Sequence, residues 1–475
     1  MRLSGARSLS TDLGPWRTHG GTLAESLATA LRQGVLDGRI PVGAPLPSER
    51  EIARHLEVSR GTVVSALVAL REEGWVSTRH GSGSIVQLPA RLTERTAPLS
   101  MDHGGDGVLL DMRAAVTSAP HHDYLAALRQ ATERCATTLL DDGHAPAGLV
   151  QLREAIAARY TTTGLPTRPE QILISSGARA AISLLIDQFH DRRRPVLVEN
   201  PSYPAVLALL RRHNARLATV PVTGQGWDVD RLSDVIRSRQ PGMAYLMPDF
   251  HNPTGMVMPA GLRADLAATA DRENMIVIVD DTMRDLDLRD PPPHTPYLAG
   301  RNVIHVGSTS KTYWGGLRVG WIRASAARVR ELLLNPLTAL TTPPPLEQLI
   351  TEELLREEHR VLPPRRAQLR TQRDHLVELL ARSDDWSFQQ PVGGLTVWLR
   401  LHRLTGQALA DRSGDLGLLV APGPWFAADR TLVHHLRLPF TAAPPALTTA
   451  VEILTAAATQ PGGPRPANSP GSQHR

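Results

Sequence analysis

GSTSKTYWGGLRVGW, residues 307–321, surrounds the single lysine of the sequence, and the architecture of the chain can be worked out from it. The chain has 475 residues with 52 lysines and arginines together, and all of these except Lys311 are arginines. Arginine can replace lysine wherever only a positive charge is needed. It cannot replace a primary amine that must lose its proton and attack a carbonyl, since guanidinium stays protonated. Lys311 is therefore a candidate for covalent chemistry. The alternative is that this lysine is present by chance, and the surrounding sequence must distinguish between the two.

Short apolar runs alternate with helical patterns on both sides of this stretch. The runs that predict strands are residues 171–174, 195–198, 243–246, 276–279 and 303–306. Apolar strands separated by helices are typical of a mostly parallel sheet that helices cover on both faces. The predicted fold class of this part of the chain is therefore α/β.

Three polar motifs follow these runs. Asp280 comes directly after the run 276–279, at the carboxyl end of a predicted strand. Asn252 belongs to Asn-Pro-Thr-Gly, which taken alone would only predict a turn. Residues 175–179, SSGAR, open a helix after a strand, where backbone N–H groups can bind phosphate. A serine beside Lys311 would be weak evidence by itself, whereas these motifs in this order are hard to produce by chance.

In this order the motifs resemble those of the fold-type I aminotransferases, over about residues 110–458. The resemblance implies a large domain with a mostly parallel sheet, a smaller C-terminal subdomain, and pyridoxal 5′-phosphate (PLP) bound to Lys311 as an internal aldimine. It implies that Asp280 keeps the pyridine nitrogen protonated, that Asn252 bonds the phenolic oxygen of the ring and that Tyr203 stacks on the ring. The implied phosphate-binding residues are Gly177, Ala178, Arg179, Ser308, Ser310 and Arg318. Arg437, in HLRLPF at residues 435–440, would hold the carboxylate of a substrate or effector, although it could also be one of many surface arginines.

Two positions depart from the aminotransferase pattern. Thr282 stands two residues after Asp280, where a tyrosine usually reaches the cofactor, and His144 stands where a tyrosine often reaches the phosphate of the neighbouring subunit. His144 could bond phosphate or could be a solvated loop histidine. Both departures argue against efficient transamination.

The N-terminal part of the chain predicts three helices and a hairpin. Apolar residues recur at helical spacing over residues 22–36, Ser48 with Glu51 forms a capping-box pattern, and Ser59 precedes a third helix. Two short runs within residues 75–86 flank the tip RHGSG and predict the hairpin. Helix, helix, helix, hairpin is the order of a winged helix-turn-helix.

Residues 21–86, and above all LPSEREIARHLEVSRGTVVSAL at 46–67, resemble the winged helix-turn-helix of GntR-type regulators, which implies binding to double-stranded operator DNA. The region carries seven arginines and seven acidic residues, so it has no net positive charge and the expectation depends on where the arginines lie. A winged helix that makes only protein contacts is the alternative. The predicted contacts are Arg60 and Thr62 in the major groove, Arg50 and Ser59 on the backbone, and Arg79 and His80 in the minor groove.

A GntR-type winged helix joined to an aminotransferase-like domain is the MocR architecture. We therefore predict a flexible arm at residues 1–20, a DNA-binding domain at 21–87, a linker at 88–107, a PLP-binding domain at 108–458 and a disordered tail at 459–475. The resemblance implies a homodimeric transcription regulator in which PLP, or PLP joined to an amine, controls operator binding. A working aminotransferase with a DNA-binding appendage is the alternative. A scaffold without cofactor is disfavoured because Lys311, Asp280 and Asn252 are all present.

The composition argues against several other classes. No run approaches the roughly 18 apolar residues of a membrane span, and the N-terminus lacks the pattern of a secretion signal, so we expect a cytoplasmic protein. Cys135 is the only cysteine, which allows no internal disulfide and indicates no metal site.

Overall fold

Three helices and a hairpin form the N-terminal unit of the protein, whose computed structural model describes residues 9–10, 12–13, 16–18, 21–40, 42–79, 83–89, 108–138 and 142–459. The helices are α1 (Leu23–Leu36), α2 (Glu49–Leu56) and α3 (Arg60–Glu72), and the hairpin pairs β1 (Val76–Arg79) with β2 (Gly83–Val86). Ser48 and Glu51 form the expected capping box at the start of α2. Glu57, with a left-handed φ of +53°, turns the chain between α2 and α3. These elements confirm the winged helix-turn-helix.

The described residues that precede α1 are packed against this unit. Leu9, Leu13 and Trp16 are 0%, 4% and 6% exposed and belong to its apolar core. Their spacing of four and three residues is that of one helix face, a pattern that the prediction of a flexible arm overlooked. For these three residues that prediction is wrong, because their burial in the apolar core holds them in place. The predicted linker and tail lie outside the described residues, apart from positions 88, 89 and 459.

The rest of the described chain builds a large sheet, a small sheet and a two-stranded parallel pair, with helices packed against them. The elements up to residue 272 are β3 (Leu110–Asp111), α4 (His121–Thr138), α5 (Val150–Thr162), β4 (Ile172–Ser175), α6 (Ala178–Phe189), β5 (Val196–Asn200), α7 (Pro204–Arg212), β6 (Leu217–Thr223), β7 (Gly226–Trp227), α8 (Val229–Arg239), β8 (Met243–Leu246) and α9 (Ala260–Arg272). Those that follow are β9 (Ile276–Asp280), β10 (Val303–Ser308), β11 (Gly320–Arg323), α10 (Ala326–Leu333), α11 (Leu337–Thr341), α12 (Pro345–Arg356), α13 (Glu358–Leu380), β12 (Trp386–Ser387), β13 (Thr396–Leu401), α14 (Gly406–Asp415), β14 (Leu418–Leu419), β15 (Ala421–Pro422), β16 (His435–Pro439) and α15 (Pro444–Thr459). Within the described ranges, no helix has the length and apolar character that spanning a membrane requires.

The large sheet has eight strands in the order β4-β11-β10-β9-β8-β5-β6-β7. The strands from β10 to β6 run parallel, and β11 is antiparallel to both of its neighbours. Alternate residues of the central strands belong to two different apolar cores, one on each face of the sheet. All five predicted strand runs lie in this sheet, which confirms the α/β fold class.

The small sheet is antiparallel, with the order β12-β13-β16-β15. Its inner face shares an apolar core with α13, α14 and α15. The loop that leads into β16 contacts the N-terminal unit, since Leu36 O, at the end of α1, accepts hydrogen bonds from Leu432 N at 2.5 Å and Val433 N at 3.3 Å. Strand β16 therefore links this contact to the apolar core of the small sheet.

Candidate functional site

A cavity of about 210 Å³ lies at the carboxyl ends of the central strands of the large sheet. The segments that follow β4, β5, β8, β9 and β10 all line it, because parallel strands end at the same edge of a sheet. The structure brings every residue predicted for the cofactor or the carboxylate into this one cavity. They are Gly177, Ala178, Arg179, Tyr203, Asn252, Asp280, Ser308, Ser310, Lys311, Arg318 and Arg437.

Lys311 lies in the turn after β10, and its Nζ donates a hydrogen bond to Ala115 O at 2.6 Å. Burial lowers the pKa of Lys311 to about 8, the charge of Arg437 adds to the decrease, and Asp280 opposes it. Desolvation and like charge both disfavour the ammonium form. About one lysine side chain in ten is then neutral at pH 7, against about one in three thousand at the ordinary pKa. Lys311 is thus suited to act as a nucleophile.

Asp280 ends β9 and is 7% exposed. Its Oδ1 accepts from Thr282 Oγ1 at 2.6 Å and from Thr282 N at 3.0 Å, and its Oδ2 accepts from Tyr245 Oη at 2.6 Å. Burial raises the pKa of Asp280, and the hydrogen bonds from Thr282 and Tyr245 limit the rise. The carboxylate is held in one orientation, as a partner of a protonated ring nitrogen requires.

Sequence reasoning missed Tyr245, which lies in the buried strand β8 and reads as a core residue. The signal was a phenol in an apolar run, since a buried tyrosine hydroxyl usually has a hydrogen-bond partner. Thr282 was singled out in the sequence only because the aminotransferase pattern usually has a tyrosine at this position. Its hydroxyl group donates its hydrogen bond to Asp280, so Thr282 does not reach the cofactor as that tyrosine would.

The amino end of α6 forms another wall of the cavity. Gly177, with φ of +86°, precedes the helix, and within the described chain the first-turn N–H groups of Ala178 and Arg179 have no backbone or side-chain acceptor. They are available to an anion, which the helix dipole also favours. Gly177 N–H was predicted as a third donor, but it donates to Ser175 O at 2.8 Å, and this corrects that part of the prediction. Gly320 must be glycine, because a Cβ there would lie 2.6 Å from the carbonyl carbon of Gly177.

Further groups suited to an anion surround this helix end. The Oγ atoms of Ser308 and Ser310 lie 3.0 Å apart after β10. Arg318 lines the same cavity with a left-handed φ of +55°. Arg179 Nη2 lies 3.4 Å from Tyr203 Oη, which joins the helix end to the aromatic wall.

Arg437 lies in the middle of β16 and is 6% exposed. Its Nη1 donates to Asn252 Oδ1 at 3.4 Å, its Nη2 donates to Arg113 O, and the guanidinium lies 4.8 Å from the ring centre of Phe426. Its Nε has no hydrogen-bond partner in the part of the chain that is described. Burial lowers the pKa of Arg437 to about 10, so it stays cationic at neutral pH. A buried cation with an unused donor is suited to bind a carboxylate.

These residues fit PLP. Free N–H groups, two serines and two arginines are grouped as a phosphate requires, Asp280 is an anion for a ring nitrogen, and Lys311 is an amine that loses its proton easily. Arg179, Arg318, Lys311 and Arg437 outnumber the carboxylates that line the cavity, so its charge also favours a phosphorylated ligand.

The amino end of α3 presents the residues predicted to touch DNA. Ser59 caps the helix, with its Oγ accepting from Thr62 N at 3.0 Å, and the two hydroxyls lie 2.8 Å apart. The Arg60 side chain is 72% exposed and 3.3 Å from Glu49 Oε2. Arg50 is exposed near the start of α2. The side chain of Arg79 and all of His80 lie outside the described residues.

His144 is exposed and is not among the described residues that line the cavity of its own chain. Its N–H donates to Asp142 Oδ1 at 2.8 Å. A reach to the neighbouring subunit's phosphate therefore stays a prediction.

Comparison with known proteins agrees with this division into two units. The sequence profile of the family "Aminotransferase class I and II" matches residues 118–450, and that of "Bacterial regulatory proteins, gntR family" matches residues 23–86. The 2-aminoadipate transaminase of Thermus thermophilus is 30% identical over 291 residues, which cover 59% of this chain and 73% of the relative. The uncharacterized HTH-type transcriptional regulator YdfD of Bacillus subtilis is 25% identical over 86% of this chain and 90% of its own length, and the HTH-type transcriptional regulator NorG of Staphylococcus aureus is 26% identical over 74% and 86%.

Among solved structures, the chain is similar to LysN, the α-aminoadipate aminotransferase of Thermus thermophilus, complexed with N-(5′-phosphopyridoxyl)-L-leucine. The TM-score is 0.68 at 27% identity, and the match covers 74% of this chain and 92% of LysN. The fold implies that the cavity binds PLP. The chain belongs to the aminotransferase class I and II family and carries a GntR-family helix-turn-helix before it, which is the architecture of the MocR subfamily of transcription regulators.

Proposed function

We propose that PLP, alone or together with an amino compound, sets the affinity of this chain for operator DNA. The observation that carries the proposal is the path from the cavity to the N-terminal unit. Arg437 lines the cavity, and the same strand, β16, begins next to Leu432 and Val433, whose N–H groups bond to the end of α1. A ligand that moves Arg437 therefore acts on a strand whose preceding loop contacts the DNA-binding unit. It shifts the affinity for DNA only as far as it prefers one arrangement of the two units.

The proposed role of Lys311 is to hold the cofactor, with Asp280 at the ring nitrogen and the groups at the amino end of α6 at the phosphate. When bound, PLP supplies an electrophilic carbon that captures primary amines. Arg437 provides a place for a carboxylate, so the proposed amino compound is an amino acid. The similarity to a 2-aminoadipate transaminase supports an amino acid ligand and does not specify which one.

We also propose that the protein acts as a homodimer on paired half-sites in the cytoplasm, where operator DNA would be available to it. The DNA-binding unit has no net charge, so one copy offers little electrostatic attraction to phosphate, and two linked copies increase the effective affinity. We keep the proposed boundaries at 21–87 for the DNA-binding domain, 88–107 for the linker and 108–458 for the PLP-binding domain.

Two variants test this proposal. Lys311→Ala should abolish the visible absorbance that stays with the protein after incubation with PLP and removal of unbound PLP, and should make operator binding, measured by fluorescence anisotropy, insensitive to PLP. Arg60→Ala should abolish operator binding while the absorbance stays. Arg54→Ala, at another exposed arginine of the helix-turn-helix, is the matched control and should keep both. Retained absorbance in Lys311→Ala, or a wild-type operator affinity that does not change with PLP, would contradict the proposal.

Catalysis as an aminotransferase is the second candidate. The complete set of cavity residues and the lowered pKa of Lys311 favour it, whereas the committed hydroxyl of Thr282 does not. Incubation with 2-aminoadipate and 2-oxoglutarate decides between the two. Turnover at about 1 per second or faster, the range of ordinary enzymes, would make catalysis the main activity.

A further inference from the structure

A second cavity, of about 370 Å³, lies between the N-terminal unit and the small sheet. The turn after α1 lines one side, and β13, the start of β16 and the loops after β5 and β8 line the others. None of its lining residues also lines the cofactor cavity, so it is a separate space. Its volume lies in the range of small-molecule sites, which hold roughly 300–1,000 Å³.

The charged groups in this interdomain cavity carry an excess of one positive charge. Asp37 Oδ2 accepts from Arg39 Nη2 at 3.2 Å and from Arg400 Nη2 at 3.0 Å, and Asp37 Oδ1 accepts from Gln33 Nε2 at 3.0 Å. One carboxylate thus serves two guanidinium groups. The side chains of Arg39 and Arg400 are 26% and 51% exposed, so a second anion can reach them.

Flat apolar groups form another part of the wall. Trp398 and Phe388 both line the cavity and are both partly exposed, so a ligand in the cavity can contact them. The ring of His435 stacks on Trp398 with a centre distance of 5.1 Å and an angle of 12°. These groups suit a planar ligand.

His435 adds an unused polar atom. The residue is 8% exposed, and its Nδ1 has no hydrogen-bond partner within the described chain. Burial lowers the pKa of His435 to about 4, so the ring is neutral at pH 7 and offers either an N–H or a lone pair. A buried polar atom without a partner is unfavourable, and a ligand that bonds to it removes that cost.

We propose that the interdomain cavity binds a small aromatic carboxylate, with the carboxylate on Arg400 and Arg39 and the ring against Trp398. This site is independent of the cofactor and lies beyond the proposed response to PLP. A ligand there touches both units at once. The alternatives are an interface filled only by water and a carboxylate that binds at Arg437 instead.

Calorimetric titration of the full-length, PLP-loaded protein with indole-3-carboxylate tests the proposal. We expect saturable binding of one molecule per chain with a Kd of about 1 mM or lower. The neutral indole-3-carboxamide should bind at least about tenfold more weakly, because it lacks the charge that the two arginines recognise. Trp398→Ala should weaken binding of the carboxylate by a similar factor.

Arg400→Gln and Asp37→Asn provide the decisive comparison, since both break the same ion pair between the units. If the pair only holds the units together, both variants lose binding. If Arg400 binds the ligand, Arg400→Gln weakens binding about tenfold, whereas Asp37→Asn strengthens it several-fold by removing the carboxylate that competes for both arginines. Arg403→Gln, at an exposed arginine that pairs with Asp385, is the matched control and should leave the Kd unchanged.

Three results would overturn the proposal. One is a loss of binding in both Arg400→Gln and Asp37→Asn, since the ion pair would then only hold the units together. Another is the absence of saturable binding for both indole-3-carboxylate and benzoate. The third is binding that Arg437→Gln abolishes and Arg400→Gln leaves intact, since it would locate the carboxylate in the cofactor cavity.

Discussion

Replacing Lys311 by methionine should stabilise the cofactor-free protein, although the proposed function depends on Lys311. Burial lowers the pKa of Lys311 from 10.5 to about 8, so the folded chain disfavours the charged form relative to the unfolded chain. Between pH 8 and 10.5 the folded chain binds fewer protons, and its stability rises with pH over that window. Below pH 8 the full penalty is present. It amounts to about 3 kcal/mol at pH 7, at about 1.4 kcal/mol per pKa unit.

Methionine has a similar length and no charge, so it removes this penalty without opening a large cavity. It also removes the hydrogen bond from Nζ to Ala115 O at 2.6 Å. That loss costs about 1 kcal/mol, which leaves a net gain of about 2 kcal/mol at pH 7. At pH 9 the penalty falls to about 2 kcal/mol and the gain to about 1 kcal/mol, and near pH 10.5 the gain disappears.

Urea-induced unfolding of the cofactor-free proteins, followed by circular dichroism at pH 7, 9 and 10.5, measures this difference. Arg129→Met, at an exposed arginine of α4, is the control and should show no gain that depends on pH. The reasoning is refuted if Lys311→Met is less stable than the wild type at pH 7, or if the difference between them stays constant up to pH 10.5. Either result would mean that the ammonium group is not desolvated in the folded protein.

Three further substitutions test other contacts. Tyr245→Phe removes the hydrogen bond to Asp280 and should lower the free energy of unfolding in urea by about 1–3 kcal/mol. It should also raise the pKa of Asp280, so that the acid-side change in the absorbance of PLP-loaded protein moves to higher pH. An unchanged pH profile would contradict this. Ser59→Ala should lower the stability of the DNA-binding unit by about 1 kcal/mol in a thermal melt, since it removes the cap of α3, and no change would mean that the cap contributes nothing. Gly320→Ala should lower the free energy of unfolding by about 3 kcal/mol, because the added Cβ would meet the backbone of Gly177. Gly261→Ala, at an open and exposed position of α9, should instead raise it by about 0.5–1 kcal/mol. Equal effects of the two variants would contradict the close packing at Gly320.

The sequence allows the cavity to be predicted because its chemistry follows strand ends. Asp280, Asn252 and Lys311 are far apart in the chain, but each follows an apolar run that reads as a buried parallel strand. Since such strands end at one edge of the sheet, the three residues had to meet there once the strands were recognised. Only Arg437 belongs to the small sheet, and resemblance rather than periodicity identified it.

What the sequence does not reveal depends on packing between segments that are distant in the chain. The partner of Tyr245 becomes known only when β8 and β9 are placed side by side. The use of the Gly177 N–H depends on the path of the backbone at a left-handed glycine, and a motif does not specify that path. The contact of α1 with the loop before β16 is made by backbone atoms of Leu36 and Leu432. Any residue would supply these atoms, so no pattern of side chains predicts the contact.

Lys311 and Arg437 together explain why position 311 carries a lysine in a chain whose other basic residues of this kind are all arginines. Arg437 is buried and Lys311 is partly buried at the same cavity, and the pKa of each is lowered by about the same amount, mainly by desolvation, to about 8 for the amine and about 10 for the guanidinium. The same environment therefore gives two different results at neutral pH, a permanent cation at 437 and an amine with a useful neutral fraction at 311. An arginine at 311 would remain charged after the same decrease and would also repel Arg437. The lower intrinsic pKa of an amine is the property that arginine lacks, and the cavity at the end of β10 is a place where the chain needs it.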